Sequence, residues 1–291
     1  MLTVVLGLAG ALVYGAADFF GGLAARRISA LRVTALGALS GVVLLTLGTL
    51  VVPGRWSPEA VLWGGLSGVT GAAAIALLYA CLAIGPMSIL SPLTAVTSAI
   101  VPLTWGLVTG AQLGAIAYPA FALALVAVVL VGFVPAKEAV RPTLGGLLMA
   151  TASGVLIGAF YILIDHTPDD SGLVPLVVNR TVNASIMITL IVVLAVIAGR
   201  RRAGASAAAL RGGWRGGFWL AVGCGLLDAI ANIIVLVGLR VGDLTIVSVL
   251  TALYPAGTIL LAALVLRERI ARLQWVGLVL ALAASAMLAA A

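Results

Sequence analysis

The chain has little charge and few of the groups that soluble enzymes work with. Asp, Glu, Lys and Arg make up 9% of its 291 residues, against about 25% in typical globular proteins. One histidine, His166, excludes the imidazole cluster of a haem or zinc site. The two cysteines, Cys81 and Cys224, both lie inside apolar runs, so they read as small hydrophobes rather than a disulfide framework. The single lysine, Lys137, belongs to no Gly-Lys-Ser/Thr segment, which excludes a phosphate-binding loop for ATP. No metal or other cofactor is expected, no catalytic role is assigned to any residue, and any work the protein performs must draw on gradients.

What is present instead is apolar sequence. Hydrophobic residues are 63% of the chain, and 35 glycines add to them; a soluble fold of this size has no interior large enough to hide so much. Polar punctuation divides the chain into ten runs of about 20 residues, the length that crosses a bilayer as a helix. They are expected at 3–23, 32–52, 61–82, 87–109, 114–134, 143–164, 173–198, 217–239, 244–266 and 273–290. The first is read as a retained span rather than a cleaved signal, because its arginines follow the apolar run. The net charge of +7 sits in short clusters between runs, where membrane proteins carry topology signals, so nucleic acid is not expected as a partner.

The two halves resemble each other. A slide of 157 residues places Gly85, Ser91, Leu93, Thr94 and Ala95 on Gly242, Ser248, Leu250, Thr251 and Ala252; a slide of 143 places Gly15-Ala16 on Gly158-Ala159. Two copies of an odd number of spans must insert in opposite senses. The expected fold is therefore all-α integral membrane, with ten transmembrane helices as two inverted five-helix repeats, 1–136 and 137–291. Loops after odd-numbered runs carry 13 Lys or Arg and those after even-numbered runs carry two, Arg55 and Arg240. The positive-inside rule then puts the odd loops in the cytoplasm and both termini outside.

Gly242-Asp243, Ser248, Leu250, Leu253, Tyr254-Pro255, Leu266-Arg267-Glu268-Arg269 and Gln274-Trp275-Val276-Gly277 resemble the end of the EamA-type repeat of the drug/metabolite transporter superfamily. Tyr14-Gly15-Ala16-Ala17-Asp18-Phe19 is similar to its first-span signature, with Asp18 standing where the family usually has a neutral polar residue. The first copy has Gly110-Ala111-Gln112 in place of the Arg-Glu-Arg segment, and Ser98 opposite Pro255. The resemblance covers nearly the whole chain as two five-span copies. It implies a transporter, and it implies termini in the cytoplasm, opposite to the charge count. Glu268, between two arginines, reads as structural or orienting.

Ionisable side chains within a span are costly, by at least about 2.5–3.5 kcal/mol on insertion scales, and each is a functional candidate. Asp18 lies about five residues past the middle of its span, about 8 Å toward the cytoplasm in the charge-based orientation. Asp228 lies at the centre of the eighth span, with Asn232 one turn away on the same face. Arg180, flanked by Asn179 and near Asn183, lies toward the outer side of the seventh. In height Asp18 and Arg180 are roughly 17 Å apart, too far to pair, whereas Asp228 and Arg180 are about 8 Å apart on adjacent helices, within reach of a neutralising pair.

Tyr14, Tyr79, Trp105, Tyr161 and Tyr254 lie within spans, where aromatic faces can hold an organic or cationic substrate or can simply pack. Trp63, Trp214, Trp219 and Trp275 lie nearer the ends, as interface belts do. Pro92, Pro102 and Pro255 are expected to interrupt the fourth and ninth spans, with Ser91, Thr94, Ser248 and Thr251 adding hydroxyls. Gly37 with Gly41, Gly64 with Gly68 and Gly154 with Gly158 read as close helix packing.

The function expected is a secondary transporter, exporting small organic metabolites or drugs by alternating access, in a multi-pass protein of the bacterial plasma membrane. Its partners are a small-molecule substrate, membrane lipid and, as one option for Asp18 and Asp228, protons. Either a monomer or a homodimer fits. Two other readings stay open: a lipid-translocating protein of the same fold, and a membrane enzyme, for which the surface offers only the Asp165 to Asp170 segment with His166.

Overall fold

The computed structural model describes residues 1–25, 27–84, 87–111, 113–132, 142–200, 216–267 and 270–290, apart from the side chains at 30, 79, 80, 82–84, 87–89, 91 and 198–200. Tyr79 and Ser91 therefore lie outside the described side chains, and Trp214, Lys137 and Glu268 outside the described residues altogether. Among the described residues the regular structure is helical throughout. In chain order the helices are α1 (Leu2–Ala25), α2 (Ala30–Gly48), α3 (Pro58–Ile84), α4 (Met87–Val108), α5 (Ala117–Gly132), α6 (Leu144–Asp165), α7 (Val174–Arg200), α8 (Phe218–Val241), α9 (Leu244–Thr251), α10 (Tyr254–Val265) and α11 (Arg272–Ala290), with one 3-10 turn at Asp169–Ser171. Eight stretches are long and apolar enough to cross a membrane, α9 and α10 counting as one, and Pro92–Val108 and Ala117–Gly132 are shorter apolar helices. The protein is thus an integral, multi-pass membrane protein whose helices fall within a few residues of the ten expected spans.

The departure lies at the prolines. The ninth run breaks after Thr251, turns through Ala252 and Leu253, and restarts with Pro255 in the first turn of α10. Pro255 has no N–H for the Thr251 carbonyl and its ring crowds that turn. Pro92 and Pro102, expected to interrupt the fourth run as well, lie inside one continuous helix, α4. A proline in a membrane helix is tolerated where neighbouring backbone closes round the freed carbonyl, and α4 is braced by α6: the Thr94 hydroxyl donates to the Leu90 carbonyl and to the Ala150 carbonyl of α6.

Small residues set how the helices meet. A Cβ added at Gly68 would fall 2.6 Å from the Asn179 carbonyl oxygen of α7, and one at Gly154 would fall 2.6 Å from the Thr94 carbonyl oxygen of α4. Gly37 and Gly225 bring α2 and α8 into backbone contact in the same way. Gly37, Gly68 and Gly154 each belong to a pair that the spacing marks as packing; Gly225 does not. α1 packs against α8 and α3 against α6; α2 against α8 and α3 against α7; α1 against α9 and α10 and α4 against α6; α5 against α11. From Val247 to Leu253 every residue is buried, so α9 and the turn after it form the most enclosed part of the bundle.

Candidate functional site: an interior acid at the head of a vestibule

α1 has two accessible faces, roughly a third of a turn apart. At 100° per residue, Val5 and Leu12 fall on one side and are exposed, as lipid-facing residues should be. On the other side Val4, Gly7, Ala11 and Gly15 are buried, but Asp18, Gly22 and Ala25, continuing the same stripe, are exposed. A face that is closed for its first half and open for its second has the pattern expected of the wall of a vestibule that enters at the C-terminal end of α1 and stops at Asp18. Gly22, one turn along, has no heavy atom of the described residues within 4 Å of where its Cβ would be. α8, antiparallel to α1, repeats the pattern: Cys224 and Asp228 are half-buried, while Ala231, Asn232 and Val235 further along are buried.

The dead end is built by Gly15. A Cβ there would lie 2.5 Å from the Tyr254 carbonyl oxygen and 2.6 Å from Gly257 Cα, and the Thr258 hydroxyl donates to the Gly15 carbonyl at 3.1 Å. Only glycine lets the start of α10 lie this close to α1, and that sets the backbone of Tyr254 against Gly15. Tyr161 of α6 completes the group. Tyr14, Asp18, Tyr161 and Asp228 are near enough for their charges to act on one another, and Tyr254 is within the same reach of Asp18 and Tyr161. Three tyrosines from three helices thus lie within electrostatic reach of Asp18, Tyr161 itself being buried in the core.

Arg180 of α7 and Asp228 of α8 form an ion pair, with side chains 11% and 28% exposed. Asn232 donates to the Asp228 carbonyl at 2.7 Å, along its own helix, and the aliphatic stem of Arg180 lies over Gly41 of α2. Asn179 faces the other way, donating to Ser67 of α3 at 2.9 Å. Among the described residues Asp18 has neither an ion pair nor a hydrogen bond. It does not pair with Arg180, as the depth arithmetic requires.

At the opposite end of the bundle the chain is tied shut. Arg240, in the last turn of α8, donates to the carbonyl and hydroxyl of Thr167 and, at 3.2 Å, to the Asp169 carboxylate. Thr167 is 3% exposed. Arg55 meets Asp170 at 3.6 Å, an exposed pair of small worth. His166 lies between Trp63 and Trp105, with ring centroids 5.4 and 5.9 Å away. Trp105, expected among the substrate aromatics, is placed here instead, 41% exposed: it sits in the last turn of α4, beyond the tyrosines. Among the described residues no cluster of His, Cys, Asp or Glu could hold a metal ion.

The structure therefore brings together Tyr14, Asp18, Tyr161, Arg180, Asp228 and Tyr254, leaves Asn232 as backbone support beneath Asp228, and sends Trp105 elsewhere. Residues that the sequence reading passed over belong to the same space. Gly22 is four residues from Asp18 and Cys224 is four from Asp228, so helical spacing alone marks them as neighbours of the site. The Arg240 tie had no comparable signal, since its partners lie 71 and 73 residues away.

No curated protein matches the chain. A solved structure, described only as a crystal structure of a protein, superposes with a TM-score of 0.75 at 16% identity, covering 99% of this chain and 98% of its own; at that identity the likeness is one of fold. Residues 144–290, α6 to α11 and just over half of the chain, match the model of the EamA-like transporter family, and the protein is a member of that family, within the drug/metabolite transporter superfamily.

Proposed function

We propose that the protein is a secondary transporter that exports a small organic solute by alternating access between two inverted five-helix repeats, 1–136 and 137–291. The observation that carries this reading is the unequal exposure of matching positions. Asp18, Gly22 and Ala25 are exposed, whereas the residues 143 further on, Tyr161, Asp165 and Pro168, are buried or half-covered. Two copies of one unit, open at one end of the bundle and closed at the other, are what a transporter halted in one state presents. The helix packing supports the same reading: exchanging α1 with α6, α2 with α7, α3 with α8, α4 with the broken α9–α10 pair and α5 with α11 carries each of the packed pairs named above into another of them or into itself.

The vestibule opens at the end of the bundle that holds the arginine-rich loops. With that end in the cytoplasm, solute loads from inside and leaves when the Arg240 tie parts. The broken ninth span is the element built to move, because α9 is buried at every residue but Ile246 while α10 is only partly so. The lipid-translocating alternative draws on a shallow groove of about 420 Å³ along Ser185, Ile186, Thr189, Leu190 and Val193 of α7. No charged side chain lines it to hold a head group, so the solute reading is preferred.

The test is cysteine accessibility in sealed vesicles. Gly22→Cys should react with a hydrophilic thiol reagent from one side, and Asp165→Cys from the other side only in the opposite state. Equal and simultaneous reaction of both positions would mean a channel, and no reaction of Gly22→Cys would mean that the vestibule is closed.

A further inference from the structure

The closed end of the bundle holds a hydroxyl that, among the described residues, has no partner. Where α9 lies against the end of α4, the Thr245 side chain points at Gly106, and a methyl group added at Gly106 would fall on the Thr245 hydroxyl oxygen. Thr245 is fully buried, so water does not reach it, and its hydroxyl oxygen makes no hydrogen bond to the described residues. The other hydroxyls of α9 are satisfied along their own helix, as is usual for serine and threonine within a helix: Ser248 donates to the Thr245 carbonyl at 3.1 Å and Thr251 to the Val247 carbonyl at 2.7 Å. Thr245 stands too near the start of α9 to do the same. Asp243 is the N-cap, and its carboxylate accepts from the Thr245 N–H at 2.7 Å. The carbonyls three and four residues back belong to Gly242, which is extended, and to the last residue of α8. Gly106 presents only its Cα to the hydroxyl.

We infer that this unpaired hydroxyl is a release device: it weakens the seam between α4 and α9 and keeps the closed end near its opening point. The inference rests on the alternating-access reading and concerns what sets the balance between its two states. A buried donor without an acceptor is a cost that the closed state alone bears, because parting α9 from α4 admits water to the hydroxyl. The Arg240 hydrogen bonds to Thr167 and Asp169 act in the opposite sense, favouring closure at the same end. Two opposed contributions of similar size keep the states close in free energy, so that a modest difference in solute affinity exchanges them.

The experiment follows closure of that end by thiol labelling and by melting. Ser248→Cys, at a fully buried position one turn deeper in α9, is the reporter, in full-length protein on a Cys81→Ala, Cys224→Ala background. An impermeant maleimide is added on the Arg240 side of sealed vesicles. Thr245→Val keeps the shape of the side chain and removes the hydroxyl; it should slow labelling by about tenfold and raise the melting temperature in detergent. Thr245→Ser, which keeps the hydroxyl, should label at least as fast as the parent, and Gly106→Ala, which wedges the seam, should label faster. Labelling of Thr245→Val at or above the parental rate, equal slowing in Thr245→Ser, or a lowered melting temperature of Thr245→Val would each overturn the proposal. Neither readout needs a substrate, so such a failure leaves the transporter reading standing. Absence of labelling in the parent and in every variant would show that this end does not open, and would remove that reading together with the proposal.

Discussion

Arg180 on α7 and Asp228 on α8 are bonded side chain to side chain, and the bond leaves Asp18 on α1 as the one acid at the head of the vestibule with no partner among the described residues. Removing either member of the pair strands a charge in a poorly hydrated interior, a loss on the order of 3–5 kcal/mol, whereas removing both removes the need for compensation. Asp228→Asn and Arg180→Gln should each destabilise strongly, and the double variant should be more stable than the worse single one. Thermal unfolding of the four proteins in one detergent measures the coupling. A double variant no better than the worse single would mean that the pair contributes nothing.

Gly15 should tolerate no side chain. Its Cβ would meet backbone atoms of α10 at 2.5–2.6 Å, and backbone cannot rotate away as a side chain can. Gly15→Ala is expected to cost about 1–3 kcal/mol by overpacking, with Gly15→Val worse. Gly22→Ala, at open space in the same helix, should be neutral or slightly stabilising, since alanine is about 1 kcal/mol better than glycine in a helix. The contrast within one helix is the check: similar melting temperatures for Gly15→Ala and Gly22→Ala would contradict the packing described.

Arg240 should control the closed end. Its hydrogen bonds to Thr167 and to the Asp169 carboxylate include a charged partner, each worth about 1.5–3 kcal/mol at most and less where Asp169 is exposed. Thr245, fully buried beneath this end, supplies the reporter. In Thr245→Cys, labelling from that side should be slow, and adding Arg240→Ala should speed it by roughly tenfold for each 1.4 kcal/mol of closure lost. An unchanged rate would show that the tie is incidental and that packing of α9 alone closes the bundle.

Orientation decides which way the solute moves. Val51, 82% exposed in the turn after α2, and Gly216, exposed before α8, lie at opposite ends of the bundle. By the count of 13 basic residues against two, Val51→Cys should react with an impermeant reagent added to whole cells and Gly216→Cys should not. The reverse labelling would place the vestibule mouth outside and turn the proposed exporter into an importer or an exchanger.

The order and approximate position of the apolar helices were legible in the sequence, eight of the stretches being long enough to cross a membrane and two shorter, because a bilayer asks only that a run be apolar and about 20 residues long. So was the Arg180–Asp228 pair. Rise per residue along a helix fixes depth from sequence position alone, and depth limits which charges can meet. The small-residue pairs were legible for a similar reason: a four-residue spacing puts Gly64 above Gly68 and Gly154 above Gly158 on one face, whatever that face meets.

What only the tertiary structure decided is azimuth, the direction each side chain points within the bundle, which depends on neighbours far away in sequence. Tyr254 is brought to α1 because α10 packs against it at Gly15, while Trp105, equally aromatic and equally inside a span, is carried to His166 at the other end. Pro255 breaks its helix and Pro102 does not, although each is a proline in a matching span, because α6 supports α4 on the side where the helix would open. The accessibility of Asp18 is of the same kind. Its charge and depth are properties of α1 alone, but its exposure depends on α10 closing tightly on Gly15 while, among the described residues, nothing comes within 4 Å of the Cβ position of Gly22.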